Sequence, residues 1–69
     1  MIFKLFDIVS PLEDIKDSGI QAGEVGTVVE ILHNPDAYYV EFANKDGETL
    51  AFVPLLESQI SAPELRKAA

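Results

Sequence analysis

His33 is the only imidazole in the chain, and it stands beside Asn34-Pro35-Asp36 in a stretch of turn-forming residues. A general base needs a walled pocket around the proton it takes, and an exposed turn supplies none. Ser10, Ser18, Ser58 and Ser61 have no Gly-x-Ser-x-Gly setting and no second imidazole, so no nucleophile and base can be paired. Asn44-x-Asp46-Gly47 has the spacing of a calcium loop's middle. Aligning Gly47 with that loop's invariant glycine, however, puts Phe42 and Val53 at the first and twelfth ligand positions. Asp46-Gly47 instead reads as a hairpin turn, where the pair tolerates positive φ. Glu13, Asp14, Asp17 and Glu24 surround a long loop and would gather a cation only if that loop folded back on itself. A solvated acidic loop is the expectation. Gly19, Gly23 and Gly26 precede a strand and no Lys-Ser or Lys-Thr follows them, so they do not form a phosphate loop. The sequence therefore predicts no catalytic residue, no cofactor and no metal.

The elements that must position any other function are those of a very small domain. At 69 residues the chain is near the lower limit for one hydrophobic core, and with no Cys and one His it has neither a disulfide nor a structural zinc to help. Nearly half the residues are apolar, which predicts a packed fold despite a net charge of −7. Twelve carboxylates against five Lys and Arg repel phosphate backbones, so no nucleic acid is expected as a ligand. A basic protein surface is the natural complement. The apolar start Met1-Ile2-Phe3-Lys4-Leu5-Phe6 meets Asp7 too early for a secretory signal, and no run is long enough to cross a bilayer. The expectation is a cytoplasmic protein with no membrane partner.

Val9-Ser10-Pro11 favours an edge strand, because Pro has no ladder donor. The stretch from Leu12 to Gly23 is a long excursion with Leu12, Ile15 and Ile20 as anchors. Val25, Thr27, Val29 and Ile31 then alternate with Glu24, Gly26, Val28 and Glu30 as in a half-buried strand. After the turn at His33 to Asp36, Tyr38, Val40 and Phe42 alternate with Tyr39 and Glu41. A further strand runs through Leu50, Ala51, Phe52 and Val53 and closes at Pro54. A 3₁₀ turn within Leu55 to Gln59 and a brief strand Ile60-Ser61 follow. This order predicts an all-β domain, a small SH3-like five-stranded barrel over residues 1–62, with a flexible tail over 63–69 and a transient helical turn through Leu65 and Arg66. An OB fold is the alternative, but it needs more residues and a helix before its fourth strand.

Gly23-Glu24-Val25-Gly26-Thr27-Val28-Val29-Glu30-Ile31 resembles the glycine-bearing second strand of KOW-type and related SH3-like domains. Gly23 would take positive φ on leaving the loop, and Gly26 would permit a sharp bend or close backbone approach. Over nearly its whole length the chain is similar to an uncharacterised bacterial family, domain-of-unknown-function family 4926. The matching pieces are Lys4 to Val9, Leu12-Glu13-Asp14, Gly19-Ile20, Gly23 to Ile31, Tyr39 to Phe42, Asp46-Gly47 and Gln59-Ile60. That resemblance implies a small bacterial β fold and, by analogy alone, an antitoxin or immunity role beside a toxin gene.

With Tyr38, Val40 and Phe42 inward, Tyr39 and Glu41 face outward, and Val28, Glu30 and Leu32 are expected outward on the neighbouring strand. An aromatic and aliphatics flanked by carboxylates suit a protein-binding patch, so Val28, Glu30, Tyr39 and Glu41 are the candidate partner-binding residues. Phe3 and Phe6 either plug the barrel or extend the patch. The leading expectation is a non-catalytic module that docks a protein, either a basic one or a toxin. Self-association through a strand edge or the apolar face is a second class.

Overall fold

The computed structural model describes residues 2–63. The expected tail beyond Pro63, with its turn at Leu65 and Arg66, lies outside those residues. Five strands form one antiparallel sheet: β1 (Ile8–Pro11), β2 (Gly26–Leu32), β3 (Ala37–Ala43), β4 (Thr49–Leu55) and β5 (Ile60–Ser61), with a 3₁₀ turn at Glu57–Gln59 before the last. The order across the sheet is β4-β3-β2-β1-β5. The all-β class, the strand count and the 3₁₀ turn are as the sequence predicts. The closure is not: the sheet is open, with β4 and β5 as its two edges.

β1 is not the edge that Pro11 suggests. Ile8 and Val9 pair with Thr27 and Gly26 of β2, while Ser10 and Pro11 pair with Ser61 and Ile60 of β5. The strand changes partner halfway, so the missing proline donor falls where β1 has already left β2. The Pro11 carbonyl is still used, accepting from Gly23 N–H at 3.1 Å. Similarly, β4 runs through Pro54 to Leu55 instead of ending there, because an edge strand can spare a donor.

The three central strands set the core. Val9, Gly26, Phe42 and Ala51 lie in one cross-strand row; Val28, Val40 and Val53 form a second; Ile31, Tyr38 and Leu55 form a third. Val9, Val28, Tyr38, Val40 and Phe42 are essentially inaccessible to solvent. Ile20 and Ile60 are buried with them, and Phe3 and Ile15 pack against the cluster. The long loop delivers its anchors through a bridge between Ile15 and Ile20, whereas Leu12 stays exposed.

Gly26 is required by that first row. A Cβ there would sit 2.6 Å from Val40 Cγ1 and 2.8 Å from Phe42 Cε1, so the two side chains close over the bare backbone. Gly23 and Gly47 have φ of +88° and +85°, as a loop exit and a tight hairpin demand. Asn44 Oδ1 accepts from the N–H groups of Asp46 and Glu48, fastening the hairpin that carries Asp46 and Gly47.

Val28 overturns an expectation. It is fully buried, not outward. An unbroken alternation through β2 would turn it outward, but a register shift between Val28 and Glu30 leaves Val29 as an extra residue opposite β3. Such a bulge resets the phase. Gly26 and Val28 point inward before it, and Ile31 points inward after it; Glu30 keeps its outward place opposite Tyr39.

Candidate functional site

The sheet has two faces, and one is left open. On the outer side the register aligns Ile8, Thr27, Glu41 and Phe52 across β1 to β4, and beside them Glu30, Tyr39 and Pro54. Tyr39 and Phe52 are diagonal neighbours whose rings stack at 5.7 Å between centroids and 17° between planes. Phe52 is half exposed, and Ile8 and Leu50 are exposed to a similar extent. Glu41 is held beside the stack, its carboxylate accepting a short hydrogen bond from Thr49 Oγ1. Glu30 stands free in solvent. Glu30 and Glu41 are the only charged residues in the five strands among the described residues, and no strand carries Lys or Arg.

Of the four candidate partner-binding residues, the fold thus brings Glu30, Tyr39 and Glu41 together and removes Val28 to the core. Phe52 and Ile8 join them on that face, and Leu50 is exposed on the same edge strand as Phe52. Phe52 is legible in the sequence, since a hairpin after Phe42 must bring β4 alongside the strand that carries Tyr39 and Glu41. Ile8 is not, because its facing depends on where β1 leaves β2.

The N-terminal aromatics divide. Phe3 meets Tyr38 edge-on at 5.5 Å and 82°, and its N–H donates to the Tyr38 hydroxyl at 3.1 Å. Phe6 is 71% exposed with φ +72°, at the third position of a turn in which Asp7 N–H donates to the Lys4 carbonyl. Asp7 Oδ2 accepts back from Lys4 N–H at 2.9 Å, and Phe6 N–H reaches the Val28 carbonyl at 2.7 Å. The turn is therefore fixed at both ends.

Two features outside the open face have polar groups. A cleft of about 390 Å³ lies between the start of the long loop and the 3₁₀ turn, walled by Leu12, Ile15, Leu55 and Gln59 among others. In the acidic loop two of the four carboxylates are engaged by backbone: Asp14 Oδ1 accepts from Ala22 N–H and Glu24 Oε2 from Gln21 N–H, each at 2.8 Å. Among the described residues no three His, Asp or Glu side chains converge as a metal site would need. His33 is exposed, 3.3 Å from Asp36 in the turn between β2 and β3. No helix among the described residues is long and apolar enough to cross a membrane.

Fold and face together define a small antiparallel β domain with one buried side and one acidic, aromatic side. Residues 5–62 match the profile of a domain of unknown function, DUF4926, and the chain belongs to that family. Neither the curated proteins nor the solved structures contain a significant match.

Proposed function

We propose that this domain is a non-catalytic docking module whose outer sheet face binds a basic protein. The observation that carries the reading is the Tyr39–Phe52 stack set directly beside Glu30 and Glu41 on strands that lack any cation. The half-exposed Phe52 ring, backed by Tyr39, supplies the anchor that interfaces concentrate their energy on, and the flanking carboxylates select the charge of the partner. A net charge of −7 extends that selection to long range, favouring encounter with cationic surfaces.

The test begins with a photo-crosslinking residue in place of Ile8, which borders the face, to identify the partner in its native cell. The purified pair is then titrated. Glu30→Lys and Glu41→Lys should each weaken binding several-fold, Tyr39→Ala about ten-fold or more, and all affinity should fall as salt rises. A reconstituted partner indifferent to these three changes would refute the assignment of this face.

A further inference from the structure

Among the described residues β4 is a free edge of the sheet along its whole length, and none of its seven residues is charged. Soluble proteins ordinarily guard such an edge with charge, proline, a bulge, brevity or a covering element, because its free peptide groups pair with any strand offered; of these β4 has only Pro54 near one end and the irregularity at Leu50 near the other, which leaves Ala51, Phe52 and Val53 bare. The opposite edge is guarded by brevity, since β5 has two residues. On β4 Leu50 and Phe52 are both half exposed, and the aromatic row begun at Tyr39 runs out through Phe52 to the rim and stops there.

We infer that β4 pairs antiparallel with β4 of a second copy of this chain, about a two-fold axis through Phe52, joining two sheets into one. The register follows from the faces. An axis perpendicular to the sheet keeps outer residues on the outer side, so Phe52 meets the partner subunit's Phe52, Leu50 meets the partner subunit's Pro54, and Ala51 meets the partner subunit's Val53 on the inner side. The row then reads Tyr39, Phe52 and the same two residues in reverse across the join.

Charge identifies the occupant as the chain itself. The edge presents no carboxylate to select a cationic strand and no cation to select an anionic one; what fits it is an uncharged apolar strand, and β4 is one. In this register Glu48, just outside the strand, falls opposite Leu56 of the partner subunit and not opposite another carboxylate. Like charges directly opposed would have destabilised the pair. The irregular positions also coincide, since Leu50 lies at the shift between β3 and β4 and meets the residue that lacks an N–H. Because β5 is too short to extend the sheet further, the contact closes as a dimer and does not propagate. The pairing leaves Tyr39, Glu30 and Glu41 facing outward, doubling the docking face.

Sedimentation equilibrium on the whole chain tests this without any partner protein. The mass should rise to twice that of one chain with concentration, and the dimer should tighten as salt goes from about 0.05 to about 0.5 M, because screening relieves repulsion between two acidic copies. Phe52→Lys and Leu50→Lys should each return the mass to one chain while the circular dichroism spectrum and cooperative unfolding persist. The chain has no cysteine, so Phe52→Cys introduces a single thiol; at the axis it should cross-link under mild oxidation, while Leu50→Cys, opposite Pro54, should not. A single-chain mass at millimolar concentration in high salt would overturn the inference. So would a dimer that survives both lysine variants, or one abolished by Tyr39→Lys alone, which would mean that the faces pack and the edges do not.

Discussion

The buried Tyr38 hydroxyl donates a 2.8 Å hydrogen bond to Glu57 Oε1, tying the middle of the sheet to the 3₁₀ turn before its last strand. Ile2 N–H donates to the same carboxylate oxygen at 3.1 Å, so one carboxylate gathers the N-terminal segment, β3 and the turn. The Tyr38 hydrogen bond, followed by that from Ile2, holds the Glu57 carboxyl below its ordinary range. Burial is the main cause pushing the Tyr38 hydroxyl above its own.

These shifts set opposite limits on stability. A carboxyl whose folded pKa is depressed contributes fully above its unfolded value, and that contribution disappears as pH falls through the folded one. Glu57→Gln should therefore lower the urea midpoint at pH 7, and the gap to the parent should close below about pH 4. For Tyr38 the folded pKa is raised, so its contribution is present below about pH 10 and is lost as pH climbs through the folded value. Absorbance at alkaline pH should show one tyrosine ionising late, together with unfolding. Tyr38→Phe should abolish that late phase.

Gly26 and Gly47 should fail for different reasons. Gly26→Ala should cost about 1–3 kcal/mol by overpacking against Val40 and Phe42, and Val40→Ala should rescue part of it. Gly47→Ala meets nothing within 4 Å. Its cost, about 1–2 kcal/mol, arises from positive φ and should be indifferent to Val40→Ala. Denaturation of the single and double variants separates the two cases.

Phe6 is a place where substitution should stabilise. A bulky aromatic at φ +72° and 71% exposed sustains backbone strain without burying its ring. Phe6→Asn, which tolerates that conformation, should raise stability by about 0.5 kcal/mol or more. A fall in the thermal midpoint would mean that the ring packs in solution.

Val28 and Tyr39 should behave as residues on opposite sides of one sheet. Val28→Ala should cost about 2 kcal/mol through lost burial and a cavity. Glu30→Lys, on the open face, should change stability by less than about 0.5 kcal/mol, and Tyr39→Ala should cost less than Val28→Ala. Urea denaturation of the three proteins measures the contrast.

Much of this architecture is legible in the sequence, since alternation through Tyr38 to Phe42 and the Asp46-Gly47 turn fix β3, β4 and the outward place of Tyr39 and Glu41. Pattern fails where one residue is added. Nothing in Gly-Thr-Val-Val-Glu-Ile-Leu marks Val29 as the extra one, because Val suits either side of a strand, and so Val28 is assigned to the wrong face until the pairing with β3 is seen. The open sheet is equally hidden. Closure depends on whether β4 and β5 reach one another, a long-range relation that local periodicity does not encode.

Because β1 gives half its length to β2 and half to β5, the first strand to be made cannot complete its pairing until the last has followed. The β2-β3-β4 meander has only short hairpin loops to close and can assemble early, whereas the Pro11–Ile60 pair spans almost the whole described chain. During synthesis, Ser10 and Pro11 therefore wait in an unfinished seam, which Ile60 and Ser61 close only on emerging from the ribosome.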